Sequence, residues 1–94
     1  EMLNTFIDGT GRGLDEMTEH LKRGDAGKIA DISHKLIPQC RHLGAVELTS
    51  LLTEIELAGR SGSDIGQVEI LVGRLRAAFP EIRRQVEDQI SKIQ

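Results

Sequence analysis

The residues best suited to chemistry lie in one short stretch of this chain, Ile32–Ala45, which holds two of its three histidines and its single cysteine. On a helix with about 100° between residues, five residues of this region share one apolar face: Ile29, Ile32, Leu36, Cys40 and Leu43. His34 lies at the edge of the opposite, polar side, so we predict that its imidazole is exposed. A neutral imidazole is a nucleophile at cellular pH. The chemistry open to an exposed His34 is to accept a phosphoryl group without other catalytic residues.

Three neighbours of His34 on the same helix suit contact with another protein. Ile37, one turn along, would offer an apolar contact, and Arg41, two turns along nearly the same line, would offer a positive charge. Lys35 lies further round on the solvent side and supplies a second cation. A partner with an acidic pocket and a hydrophobic rim would fit this combination.

Pro38 should bend this helix at His34. A proline ring clashes with the carbonyl four residues earlier, here that of His34, and leaves this carbonyl without its helical partner. The sequence leaves two explanations open. The bend is either a packing kink or an aid to docking, because a proline lets a partner approach the backbone closely.

The other reactive residues suggest no second site. A metal site of His34, Cys40 and His42 fails on geometry, because the cysteine points to the core and His42 points away from it, whereas zinc needs convergent ligands. Cys40 is better explained as a small buried hydrophobe, and His20 and His42 as solvated residues near helix ends. Gly9–Gly13 lacks the preceding strand that a phosphate-binding loop requires.

Composition excludes several classes of function. The net charge of -3 argues against binding nucleic acid, which needs a basic face. No apolar run approaches the roughly 20 residues that span a bilayer, so we expect no membrane contact. The single cysteine cannot form an internal disulfide, which indicates a reducing, cytoplasmic location.

Apolar spacing predicts four helices. Seven residues in steps of three and four define the first: Leu3, Phe6, Ile7, Thr10, Leu14, Met17 and Leu21. Gly24 should end this helix and Asp25 should cap the second, which should end near Leu43 with Gly44 as its left-handed stop. The third is predicted from Ala45 to Ala58.

A glycine- and serine-rich turn, Gly59–Ser63, should follow the third helix, and Asp64 with Gln67 would form a capping box for the fourth. The fourth carries the longest apolar stripe: Ile65, Val68, Val72, Leu75, Phe79, Ile82, Val86, Ile90 and Ile93. Pro80 should kink or split it, and its far end is long enough to pack on a neighbouring domain or a second copy. The predicted fold is all-α: one antiparallel, up-down four-helix bundle over residues 1–94, with a long, kinked last helix.

These residues resemble a known family, the histidine-containing phosphotransfer (HPt) domain. The matching positions are His34, Leu36, Leu43, Gly44, Ala45, Leu48 and Ile55-Glu56. The helix that holds Phe6-Ile7, the Gly24-Asp25 turn and the overall length also fit, so the resemblance covers nearly the whole chain. The resemblance implies that His34 accepts a phosphoryl group from an aspartyl phosphate on a receiver domain and passes it on. Two positions depart from the family pattern, because Ile37 replaces a lysine and Pro38 a small residue. Lys35 and Arg41 remain as cations to balance the phosphoryl charge.

The resemblance also implies partners and cofactors. The domain would be a monomeric carrier rather than an enzyme, working with response-regulator receiver domains in cis or in trans. It would bind no cofactor when isolated, since the receiver supplies the Mg²⁺. The first residue, Glu1, suggests a fragment of a longer hybrid sensor kinase with this domain near its C-terminal end, and the alternative is a stand-alone carrier.

Two alternatives compete with the phosphocarrier. A dimerisation and histidine-phosphorylation domain of a sensor kinase also exposes a histidine near a proline, but it carries an acidic residue directly after the histidine, where Lys35 stands here. It also pairs two-helix hairpins, whereas four segments can close their own bundle. The other alternative is a helical adaptor in which His34 has no chemical role.

Overall fold

The computed structural model describes the backbone of residues 2–62 and 64–93 and the side chains of residues 5–62 and 64–88. It contains four α-helices in chain order: α1 (Met2–Lys22), α2 (Ala26–His42), α3 (Val46–Arg60) and α4 (Ile65–Ile93). No strand occurs within the described backbone. The prediction of an all-α, four-helix fold is confirmed.

The first two turns have the same local design. Gly24 and Gly44 adopt left-handed φ angles of 69° and 74°, which glycine adopts without steric cost. At each turn the glycine N–H and the next residue's N–H donate back to carbonyls of the preceding helix, a Schellman motif. The Asp25 carboxylate then accepts a hydrogen bond from the Lys28 N–H at 3.2 Å and caps α2. The predicted boundaries around both glycines are confirmed.

The end of α3 corrects the sequence prediction. The turn expected to begin at Gly59 begins at Ser61, and α3 continues to Arg60. Gly59 serves a close approach of helices instead: a Cβ there would lie 2.7 Å from the Ala26 carbonyl oxygen and 2.8 Å from the Ala30 Cβ. The glycine therefore lets α2 and α3 come together. Gly62, with φ of 75°, provides the left-handed residue of this turn.

The fourth helix is continuous. Its 29 residues pass through Pro80 without a break, so the prediction that Pro80 would split it is wrong, and the kink stays a prediction. At 1.5 Å per residue α4 is about 43 Å long, close to the 45 Å long axis of the molecule. At its start the Gln67 N–H donates to the Asp64 carbonyl, whereas the side-chain bonds of the capping box stay a prediction. Ser63 lies outside the described residues.

The helices pack in a ring in which α2 contacts α1 and α3, and α4 contacts α3 and α1. The core between them is aliphatic apart from Phe6: Phe6, Ile7, Leu14, Met17, Ile29, Leu36, Ile37, Cys40, Leu48, Leu52, Ile55, Val68, Val72, Leu75 and Ile82. Within the described part of the chain, no helix has both the length and the apolarity required to cross a bilayer. The bundle positions α2 and α3 side by side at its surface.

Cys40 lies fully inside this core, as predicted. Burial raises the pKa of the Cys40 thiol from 9.0 to about 11, because the thiolate loses its hydration. At pH 8 the thiolate fraction is therefore about 100-fold smaller than for an exposed thiol.

We expect alkylation of Cys40 by iodoacetamide at pH 8 to be at least ~100-fold slower in the folded protein than in denaturant. Because the pKa is raised in the folded state, this thiol's contribution to stability is complete below about pH 9 and is lost as the pH rises through about 11. Mass spectrometry of timed samples measures the alkylation rate. Equal rates in buffer and in denaturant would contradict the buried position.

Candidate functional site: the His34–Glu56 pair

The candidate site lies on the surface of the α2–α3 hairpin. The imidazole of His34 is 70% exposed, and its Nδ1 lies 2.8 Å from Oε2 of Glu56 on the neighbouring helix. The Glu56 side chain is only 22% exposed. The pair thus joins a half-buried carboxylate to a histidine that faces solvent. The exposure of His34 is the part that the helical arrangement of α2 predicted.

The Glu56 carboxylate determines which ring nitrogen of His34 has the free lone pair. An ionised carboxylate accepts hydrogen bonds but has none to donate, so the Nδ1–H of His34 is the donor and Oε2 of Glu56 is the acceptor. The lone pair of the neutral ring is then on Nε2. With 70% of the side chain exposed, the ring that carries this Nε2 lone pair is open to solvent, and the Glu56 bond fixes both its tautomer and its orientation.

The hairpin geometry explains why Glu56 meets His34. Helices α2 and α3 run antiparallel about Gly44, which lies ten residues after His34 and twelve before Glu56. Next to Glu56, Ile55 is fully buried, which turns the glutamate toward the side of α3 that borders α2. Equal counting outward from Gly44 would place Glu54 opposite His34, so the contact with Glu56 depends on how α3 is aligned and rotated beside α2. Sequence reasoning noted Glu56 only as part of a family pattern and missed its bond to the histidine.

The buried face of α2 is displaced from the predicted one. It includes Ala30, Ser33 and Ile37, whereas Ile32 and Leu43 are only half-buried. The displacement arises because α2 packs against both α1 and α3, which widens the arc of residues that must be apolar. The same displacement brings His34 closer to the α3 border than the sequence suggested.

Ile37 is the predicted docking residue that the structure corrects. Its side chain is 7% exposed and belongs to the core, so it has little surface to offer a partner. Lys35, Pro38 and Arg41 are exposed on the same helix as His34. Neither cation forms an ion pair with another described side chain, and both are available to a partner. Of the family-pattern residues, Leu36 is in the core, and Gly44 ends α2.

The remaining histidines take no part in this site. His42 is exposed, as predicted. The prediction that His20 is solvated is wrong, because His20 is half-buried and its Nδ1 is enclosed without a hydrogen-bond partner among the described residues. No group of three or more histidine, cysteine, aspartate or glutamate side chains in the described part of the chain could hold a metal ion.

The described residues thus form a bundle of four helices with one exposed histidine bonded to a carboxylate at its surface. A family model described as the Hpt domain matches residues 1–93 of this chain. The chain therefore belongs to the histidine-containing phosphotransfer domain family. Comparisons with curated proteins and with solved structures each found no match.

Membership defines the general role. Domains of this family are phosphocarriers rather than enzymes, and they transfer phosphoryl groups through histidine in two-component phosphorelays. Their partners in these relays are receiver domains. The choice of acceptor residue, and the way this chain handles the phosphoryl charge, depend on its own side chains.

The contact between His34 and Glu56 leads to a kinetic prediction. Glu56→Gln keeps the side-chain volume but loses the negative charge, so the ring is no longer held in one tautomer and the charge that develops on it is not stabilised. We expect phosphoryl acceptance from a receiver to slow by about 10- to 100-fold. Rapid-quench measurements of single-turnover transfer test this.

The control for this variant is Glu54→Gln. Glu54 is exposed on the same helix, and its replacement changes the net charge by the same amount. Transfer by Glu54→Gln should remain within twofold of the wild-type rate. Similar slowing in the two variants would assign the effect to overall charge and not to the bond with His34.

Proposed function

We propose that this chain is a phosphocarrier whose acceptor is Nε2 of His34, which exchanges a phosphoryl group with the aspartate of a receiver domain. The observation that carries the proposal is the 2.8 Å bond from His34 Nδ1 to Glu56 on an imidazole that is 70% exposed. The bond prepares the nucleophile, and the exposure lets another protein's active site close over it.

The transfer step balances with these two residues. The Nε2 lone pair attacks phosphorus in line with the bond to the receiver aspartate, so the N–P bond forms as the P–O bond breaks. The aspartate leaves as a carboxylate. Because the Nδ1 proton stays on the ring, the imidazole gains one positive charge, which the carboxylate of Glu56 stabilises. The reverse sequence returns the phosphoryl group to an aspartate.

The partner provides the rest of the chemistry. An open surface holds no water-free cleft of its own, so neutralisation of the transferring group falls largely to the Mg²⁺ of the receiver. We propose that the isolated domain binds no cofactor. The exposed Lys35, Pro38 and Arg41 would contact the receiver around its acidic active-site pocket, where opposite charges accelerate encounter.

The proposal extends to assembly and location. Four helices of one chain enclose the core, which favours a monomer over the paired hairpins of a sensor-kinase dimerisation domain. The family match gives that alternative no support. A cytoplasmic location is consistent with the buried, unpaired Cys40.

The experiment that tests the function is phosphotransfer from purified receiver domains charged on aspartate with radioactive phosphate. We expect the receivers to lose label as this chain gains it, and the new label to be labile in acid and stable in base. Mass spectrometry should place it on His34. If a panel of receivers transfers nothing, or if the label lies on another residue, the proposal is wrong, and the helical adaptor becomes the better explanation.

A further inference from the structure

A second polar pair lies one helical turn from the His34–Glu56 pair. Nη2 of Arg60 is 2.6 Å from Oδ1 of Asp31, with the two side chains 49% and 57% exposed. Asp31 precedes His34 by three residues on α2, and Arg60 follows Glu56 by four on α3. At these spacings side chains on one helix are neighbours, with about 5–6 Å between Cβ atoms.

A phosphoryl group on His34 would enter an unfavourable electrostatic setting. It adds up to about two negative charges. The two side chains next to His34 in these polar pairs, Asp31 and Glu56, are both carboxylates. Ile37, one turn further along α2, is buried and uncharged. The phosphorylated state therefore requires a cation within reach of His34.

The hairpin holds the Arg60 guanidinium, through its ion pair with Asp31, one helical turn from His34. Arg41 lies seven residues from His34, about 10 Å along the helix axis, and Lys35 lies about 100° around it. Side chains on a helix lean toward its N-terminus. In an antiparallel pair, His34 leans toward the level of Asp31, and Arg60 leans toward the level of Glu56. Both side chains thus lean into the space between the two polar pairs.

We propose that Arg60 stabilises phosphorylated His34, a proposal that rests on the phosphocarrier function proposed above. The Arg60 guanidinium would release Asp31 and bind the phosphoryl oxygens instead. The planar guanidinium binds phosphoryl oxygens through two parallel hydrogen bonds. The phosphoryl group carries more charge than a single carboxylate, which favours the exchange. In the unphosphorylated protein, Asp31 holds Arg60 beside the site and competes for it.

This competition gives the two partners opposite effects on transfer. Arg60→Gln removes the cation, so the equilibrium constant for transfer from a phosphorylated receiver should fall by about 5- to 30-fold. Asp31→Asn frees Arg60 and removes a negative charge, so the same constant should rise about 2- to 5-fold. Arg60→Lys keeps the charge but not the double hydrogen bond, and should recover part of the loss.

The measurement is the equilibrium distribution of label between one receiver and each variant of the 94-residue chain, together with thermal unfolding of each variant. Arg74→Gln, on the exposed side of α4, is the matched control and should equal the wild type. A purely structural Asp31–Arg60 pair would make Arg60→Gln and Asp31→Asn change the constant in the same direction, and that result would overturn the proposal. A greater loss in Arg41→Gln than in Arg60→Gln would also overturn it.

The two proposals fail in different ways. If the wild type takes no label on His34, the phosphocarrier function is wrong and the role of Arg60 is wrong with it. If the wild type is labelled and Arg60→Gln stays within twofold of it, only the role of Arg60 is wrong.

Discussion

Replacing His34 by glutamine should abolish the labelling of this chain by phosphorylated receivers, with no transfer remaining above background. The amide nitrogen of glutamine has no nucleophilic lone pair comparable to that of Nε2. The neighbouring Glu56 is a carboxylate and offers no stable alternative acceptor. The fold should be unaffected, because the imidazole is 70% exposed and such surface changes usually alter stability by less than about 0.5 kcal/mol. Circular dichroism and thermal unfolding test whether the fold and its stability are unchanged.

The matched control is His42→Gln, in the last turn of the same helix. His42 is also exposed. If exposure alone made a histidine a phosphoryl acceptor, His42 would accept label as well. We expect His42→Gln to transfer at the wild-type rate. Residual labelling of His34→Gln, or loss of labelling in His42→Gln, would show that the acceptor is not His34.

Replacing Gly59 by alanine should destabilise the protein, against the usual trend. In a helix interior this change normally adds up to about 1 kcal/mol of stability. Here the new Cβ would lie 2.7 Å from the Ala26 carbonyl oxygen and 2.8 Å from the Ala30 Cβ, so α2 and α3 must move apart. Overpacking of this kind costs about 1–3 kcal/mol. For a domain of this size, each kilocalorie lowers the melting temperature by about 4–8 °C.

Gly73→Ala provides the control for this second prediction. Gly73 lies inside α4, and no atom would approach its added Cβ within 4 Å. That substitution should therefore stabilise the protein by about 0.5–1 kcal/mol. Chemical denaturation of the two variants tests the sign directly. Stabilisation by both would mean that the α2–α3 contact at Gly59 adjusts without cost.

Much of the architecture could be predicted from the sequence because local signals agreed with each other. The helix ends at Gly24 and Gly44 each contain a left-handed glycine, with a capping residue or the last apolar residue of the helix beside it. Both predicted ends are confirmed. Gly59 misled because glycine serves either a turn or a close helix contact, and composition alone cannot separate the two. The prediction that Pro80 would split α4 failed for a related reason, since a helix held by tertiary packing can continue through a proline.

The candidate site was harder to predict because it requires two helices. The helical arrangement of α2 gives the exposure of His34, but the bond to Glu56 depends on how α3 is aligned beside it. The burial of Ile37 has the same origin: one helix considered alone has one buried face, whereas α2 has two neighbours. The positions of these side chains therefore follow from how α1 and α3 pack against α2, and not from the pattern of α2 alone.

The openness of the His34 surface has a consequence for how much signal the protein can hold. A ring that is 70% exposed does not lie in an enclosed pocket that could align a water molecule for hydrolysis, so a phosphoryl group on His34, the acceptor proposed here, would leave by transfer to a partner. Each molecule would then hold one such group, and capacity would scale with the number of molecules. Raising the abundance of this chain would withdraw phosphoryl groups from its receivers in proportion, as a stoichiometric reservoir does and a catalyst does not.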